Sequence, residues 1–196
     1  MTRTIGKRIL AVAFIVGVFT LPAVADASQN VSEERADWAI QVSRGDSYLA
    51  AGEYVRALTT YELAAKSAPY SAVLVLRMAR VNYRWGISVP ARRGDLWGAA
   101  LQQTERARFL DGMLAEASFL EAIILFRIGD YRGSTAIYSH LEQVRQGDVD
   151  LYLDLAIAAG KAGNMKLATR SLEKARIVDP SSTRLMSVAK QVLGGR

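Results

Sequence analysis

Residues Gly45 to Pro69 read Gly-Asp-Ser-Tyr-Leu-Ala-Ala-Gly-Glu-Tyr-Val-Arg-Ala-Leu-Thr-Thr-Tyr-Glu-Leu-Ala-Ala-Lys-Ser-Ala-Pro. The stretch predicts two helices folded back on each other at Gly52, with small residues where the two must touch. Alanine and glycine let helix axes approach closely, and tyrosine and leucine fill the gaps left between neighbours. Pro69 stops the second helix, because proline has no N–H to continue the hydrogen-bond ladder.

Gly45, Tyr48, Ala57, Tyr61, Ala64 and Pro69 resemble, in type and spacing, the tetratricopeptide repeat, a helix–turn–helix unit of 34 residues. Stepping by that period from Gly52 reaches Gly86, and stepping back from Gly163 reaches Gly129. Gly86 and Gly129 are 43 residues apart, nine more than the period, so one insertion reconciles four turns. Its expected seat is an inserted loop at 87–95, which holds Pro90, Gly94, Arg92 and Arg93. The helix stops agree independently: Asp111-Gly112 and Asp179-Pro180 lie two periods apart, and Ala107 and Ala175 precede them as Ala64 precedes Pro69.

The units are then 38–71, 72–114 with the inserted loop 87–95, 115–148 and 149–182. A hairpin of this kind cannot bury its apolar face alone, so stability must come from stacking, and the open end of a stack needs a cover. Residues 183–196 supply one, a capping helix started by Ser181 or Ser182 and bearing Leu185, Met186, Val188, Ala189 and Val192. The expected architecture is all-α, and the resemblance implies a right-handed α-solenoid of four repeats plus the C-terminal capping helix.

Residues 1–25 stand apart from the fold. Arg3, Lys7 and Arg8 precede an uncharged, mostly apolar run from Ile9 to Leu21, and Pro22 is followed by Ala23-Val24-Ala25. That order is a secretory signal peptide with a small-x-small cleavage site, which places the mature start at Asp26 and the protein between the membranes of a Gram-negative cell. The alternative is an uncleaved anchor, since the uncharged run from Ile9 to Ala25 is 17 residues long and reaches the minimum for a bilayer. Residues 26–37 form a polar lead into the first helix, with Ser32 a candidate cap and Glu33 and Glu34 in the first turn, where the helix dipole favours acids.

The chain has no cysteine, which excludes disulfides, thiolate metal sites and cysteine nucleophiles. Three of its 25 basic residues and none of its 19 acidic residues lie in the signal segment, so the mature chain carries 22 against 19, a net charge of +3. That balance and export argue against nucleic acid as a partner. His140 is the only histidine, and no nucleophile elbow, phosphate loop or dinucleotide fingerprint is present. Asp148, Asp150 and Asp154 cluster, but acids at a helix N-terminus are favourable without a ligand. We therefore expect no enzymatic activity, no catalytic residue, no metal and no cofactor.

The resemblance implies that the first helix of each repeat lines a concave groove that holds a peptide or a partner's helix. It places Arg77, Arg80, Tyr83 and Arg84 there from the second repeat and Phe119, Ile123, Phe126 and Arg127 from the third. Leu153, Ile157 and Lys161 come from the fourth. The arginine spacings of three, four and seven keep one helical face whatever the family. Arginine forks onto carboxylates and aromatics supply anchoring area, so the expected partner is an amphipathic, somewhat acidic protein or peptide. A subfamily that clamps C-terminal carboxylates with lysines and asparagines is a poor match: Val42, Asp46, Arg77, Glu116 and Leu120 stand at those places.

These readings converge on an exported, non-catalytic protein–protein interaction scaffold, and the resemblance implies a place within an envelope assembly or secretion complex. Membrane contact would come only through the signal segment if uncleaved. The alternative is an accessory subunit that regulates or presents a cell-wall or polysaccharide enzyme through 87–95, a glycan role requiring Trp85 and Trp97 to face solvent. Self-association through the groove or capping helix is a third arrangement.

Overall fold

The structure, a computed structural model, describes residues 37–194. Residues 1–36, which hold the expected signal segment and Ser32, Glu33 and Glu34, and the last two residues lie outside it. A first helix, α1, is described over 37–50. It is followed by α2 (Tyr54–Ser67), α3 (Ala72–Ser88), a 3-10 turn (Pro90–Arg92), α4 (Arg93–Leu110), α5 (Ala115–Ile128) and α6 (Tyr131–Val144). The chain ends with α7 (Val149–Lys161), α8 (Met165–Val178) and α9 (Thr183–Leu193). There is no strand among the described residues, and none of the described helices is long and apolar enough to cross a membrane.

The helices pair as antiparallel hairpins, α3 with α4, α5 with α6 and α7 with α8, and each hairpin packs on the next. The result is a right-handed α-solenoid of tetratricopeptide type. Side-chain caps set the starts: Ser71 accepts from the Leu74 N–H, Asp130 from Gly133, Asp148 from Leu151, Asn164 from Leu167 and Ser182 from Leu185. Each satisfies an N–H that the first turn leaves without a helical partner. The closing turns repeat as well. Asp111 Oδ1 accepts from the Met113 N–H and Asp179 Oδ1 from the Ser181 N–H, both at 3.0 Å.

Among the described residues four apolar cores run along the stack, and each spans a hairpin and the first helix of the next unit. The first joins Val42, Ala57, Tyr61 and Ala64 to Leu74 and Val81 of α3. The second joins Ala79, Trp97 and Ala107 to Ala117, Leu120 and Ile124 of α5. The third joins Ala122, Tyr138 and Leu141 to Leu151, Leu155 and Ala158 of α7. The fourth joins Tyr152, Leu153, Leu172 and Ala175 to Leu185 and Val188 of α9. The last helix thus takes the place that a fifth repeat would fill. Leu153, expected in the groove, is fully buried in this last core.

The insertion in the second unit corrects one expectation. Residues 87–95 are not a loop. Helix α3 continues through Gly86 to Ser88, and α4 begins at Arg93 after the 3-10 turn. The α3 helix has 17 residues against 14 in α5, and α4 has 18 against 14 in α6. The connection is two residues longer than the Gly129-Asp130 turn, so longer helices and a longer turn absorb all nine residues. Gly52, Gly129 and Gly163 turn with φ of 76°, 93° and 81°, but Gly86 is helical and buried. Its missing side chain serves packing: a Cβ there would lie 2.5 Å from the Trp97 indole nitrogen. That indole donates to the Tyr83 carbonyl at 3.0 Å.

Candidate functional site

Helices α3, α5 and α7, the first helices of their hairpins, share the face on which the groove is expected, and the expected groove residues divide into three groups on it. Arg77 is tied down. Its Nε donates to Asp46 of α1 at 3.0 Å, and Tyr61 of α2 donates to the same carboxylate oxygen at 2.5 Å. Burial, then the bond to Asp46, pushes the Tyr61 hydroxyl well above its ordinary range. Asp46 therefore links Tyr61 of α2 and Arg77 of α3 to α1, through one edge of the guanidinium. Arg77, expected in the groove, thus has an internal ion pair that the other basic residues expected there lack.

Arg80, Arg84, Arg127 and Lys161 form the second group. All four are exposed, and none has a carboxylate within ion-pair distance among the described residues. The third group is apolar and half-buried. Tyr83 stacks on Trp97 with ring centroids 5.9 Å apart. Phe119 sits edge-on to Tyr138 at 5.6 Å and under the Arg145 guanidinium, and Phe126 sits edge-on to Tyr131 at 5.2 Å. Ile123 lies between them along α5.

A cavity of about 400 Å³ opens within this face, lined by Tyr83, Ile123, Phe126, Arg127, Tyr138, Asp154, Ile157 and Gln191. Its walls come from α3, α5, α7 and α9, and Tyr138, 3% exposed, reaches it from α6, a second helix of its hairpin. Phe119, Arg80, Arg84 and Lys161 lie outside the cavity.

Tyr138, Asp154 and Gln191 were not legible as site residues. Asp154 reads in sequence as one of three acids near a helix start. In the structure its Oδ1 accepts from Arg184 of α9, and Asp150 accepts from the same guanidinium at 2.5 Å. Asp150 and Arg184 are one period apart, which is the signal that marks them as neighbours on adjacent units. Burial raises the Asp154 carboxyl above the ordinary carboxylate range despite the opposing pull of Arg184. Burial, then the Asp154 charge, also pushes the Tyr138 hydroxyl far up, so it stays protonated at neutral pH.

The tryptophans flanking 87–95 do not form an exposed platform. Trp97 is 5% exposed. Trp85 is half-buried, stacked on Tyr54 at 6.2 Å and covered by the Arg92 guanidinium at 4.8 Å. A sugar ring needs an open aromatic face to stack on, and neither indole offers one.

No family model matches the chain, and no curated protein matches it. Solved structures do. A crystal structure of MamA superimposes with a TM-score of 0.65 at 18% identity, covering 77% of this chain and 83% of that one. MamA 41-end from Desulfovibrio magneticus RS-1 gives 0.65 at 16% identity, covering 79% and 85%. A tetratricopeptide repeat protein from Parabacteroides merdae gives 0.67 at 13% identity, covering 81% of this chain and 61% of that protein. At these identities the likeness is one of fold, a tetratricopeptide-type solenoid.

Proposed function

We propose that this chain is an exported, non-catalytic scaffold whose concave face holds an amphipathic, acidic segment of a protein partner. One observation carries the reading. Arg80, Arg84 and Arg127 stand exposed beside half-buried Tyr83, Ile123 and Phe126 with no carboxylate of their own among the described residues. Arg77 and Arg184 on neighbouring helices, by contrast, are each paired internally. Guanidinium groups left open beside apolar area suit carboxylates on an amphipathic segment. The fold shared with other tetratricopeptide-type solenoids supports the same reading. Export rests on the basic, apolar and small-residue order of residues 1–25.

The test is a cross-linked pull-down from the native envelope, comparing the wild type with Arg80→Glu, Arg84→Glu, Arg127→Glu combined. These side chains are exposed, and matched circular dichroism spectra establish that both fold alike. A protein recovered with wild type and lost with the variant makes the groove its binding site. Equal recovery from both overturns the groove reading. Mass spectrometry of the recovered bait then reads export directly: a mature chain beginning at Asp26 is expected.

A further inference from the structure

The edge of the stack where the second helices end carries apolar side chains that no core takes up. In stacked hairpins the last turn of each second helix and the turn after it share one edge. Here those positions display Tyr70, Phe109, Met113, Val144, Ile177 and Val178, all exposed. Tyr70, Phe109 and Met113 are 81%, 89% and 87% exposed, more than any other large apolar residue described. The period repeats the pattern: Val144 and Val178 lie one period apart, Phe109 and Ile177 two. Neighbouring helices pack about 8–10 Å apart, so matching places in successive units form a row. The turn at its centre is fixed, since the Met113 N–H bonds Asp111 Oδ1 and the Leu114 N–H bonds the Asp111 carbonyl at 3.1 Å. Side chains displayed on a fixed turn lose little freedom when another surface covers them. The rim around the row is neutral. Residues 64–71, 107–114, 141–148 and 175–182 hold four bases, Lys66, Arg108, Arg145 and Arg176, against four acids, Asp111, Glu142, Asp148 and Asp179. Three of the bases are already in ion pairs of the protein's own, with Glu121, Asp148 and Glu173.

We propose that this edge is a self-association face, on which two copies of the chain pack row to row. With about 150–250 Å² for a large aromatic side chain, the six residues expose roughly 800 Å². That is above the roughly 300–600 Å² of a typical monomer's largest apolar patch. It matches the roughly 800 Å² that each partner gives to an interface of standard size. Charge decides between a second copy and a lipid bilayer, the other apolar surface that an exported protein meets. Elements that lie on membranes join apolar groups to an excess of bases for anionic headgroups, and this edge has no excess. A neutral rim of mixed sign faces its own duplicate without repulsion. The sign also varies along the row: the first unit ends with Lys66 alone, the third with Glu142 and Asp148 against Arg145. Antiparallel rows about a two-fold axis through the second unit set Phe109 and Met113 against their duplicates. The same axis brings Lys66 of each copy toward Glu142 and Asp148 of the other. The row lies on an edge and not on the first-helix face, so association leaves the groove open and a dimer presents two. The inference does not depend on what the groove holds.

Light scattering and sedimentation velocity on the protein isolated from its cells test the face. The wild type is expected at twice the monomer mass. Phe109→Asp and Met113→Asp combined should weaken association by at least about tenfold, because large central side chains dominate such interfaces and an unpaired buried charge opposes them. Both side chains are exposed, so the variant should match the wild type in circular dichroism and thermal melting. Two controls should stay dimeric: the combined Arg80→Glu, Arg84→Glu, Arg127→Glu variant on the groove side, and Met186→Asp on α9. Because the chain has no cysteine, Met113→Cys introduces a single thiol, which a short bismaleimide should join copy to copy. Ile128→Cys, at the exposed end of α5 on the opposite edge, should not be joined. A monomer at every concentration overturns the proposal, as does a dimer indifferent to the changes at Phe109 and Met113. Equal joining of the Met113→Cys and Ile128→Cys chains overturns it too. A monomer that floats with phosphatidylglycerol vesicles, or captures a different protein, only while Phe109 and Met113 are intact would give the edge to that occupant instead of a second copy.

Discussion

Asp154 concentrates the competing electrostatics of the concave face in one side chain. It is shared between the cavity wall and the Arg184 pair, and its burial outweighs that pair, leaving the carboxyl harder to ionise than in water. A buried ion pair often fails to recover the cost of removing its charges from solvent. The sign of the pH effect follows. A carboxyl whose pKa is higher in the folded state contributes stability that is fully present below its unfolded value, and loses it as pH rises through the folded value. Asp154→Asn cannot ionise and retains an amide oxygen for Arg184, which also keeps Asp150. The variant is expected to melt at or above the wild-type temperature at pH 7, with the advantage shrinking toward about pH 4, near the unfolded carboxyl pKa. Thermal melts at the two pH values check this. A variant less stable at pH 7 that recovers in acid would mean the ion pair outweighs burial. Arg77 lies on the same face and bonds Asp46, which also accepts from Tyr61. Asp46 and Tyr61 belong to two other helices, so Asp46 links α1, α2 and α3.

Helices α3 and α4 show how an element absorbs an insertion. Nine extra residues placed in a turn would leave backbone groups to be satisfied by solvent, whereas in helices they bond one another. The lengthened hairpin needs the Trp97 indole to lie across α3, and only a residue without a Cβ at position 86 permits it. Gly86→Ala should therefore destabilise the fold by about 1–3 kcal/mol through overpacking, even though alanine is the better helix former. Gly94 provides the internal control. It also lies in a helix, but a Cβ there meets nothing within 4 Å. Gly94→Ala should be neutral or stabilising by about 0.5–1 kcal/mol, as replacing a helical glycine usually is. Equal effects of the two in thermal or urea unfolding would mean that the indole yields without cost.

At the scale of the whole molecule, stability is a chain of overlapping cores rather than one. Because each core borrows the first helix of the next unit, a defect should be felt by its neighbours and fade with distance. Leu185, on the buried face of α9, closes the last core with Val188. Leu185→Ala should cost about 2–5 kcal/mol of local stability. Hydrogen exchange should show protection lost in α7, α8 and α9 while α1 to α4 keep theirs; uniform loss along the chain would refute the stacked picture. Much of this organisation is legible in the sequence. The recurrence of alanines, glycines and helix stops at a fixed period determines the hairpins, the nine-residue insertion and the capping helix, because close helix contact demands small residues at regular spacing. The same periodicity places Arg80, Tyr83, Arg84, Phe126 and Arg127 on first-helix faces. Local signals mislead where a residue has two uses. Gly86 sits at the turn position yet serves indole packing, Arg77 matches an open groove cation yet is taken by Asp46, and Leu153 lies on a first helix yet faces the last core. Only the tertiary structure decided these, and only it assembled Tyr138, Asp154 and Gln191 around one cavity. That cavity is lined from α3, α5, α6, α7 and α9 at once, an arrangement set by several helices packing together, which no single helix encodes.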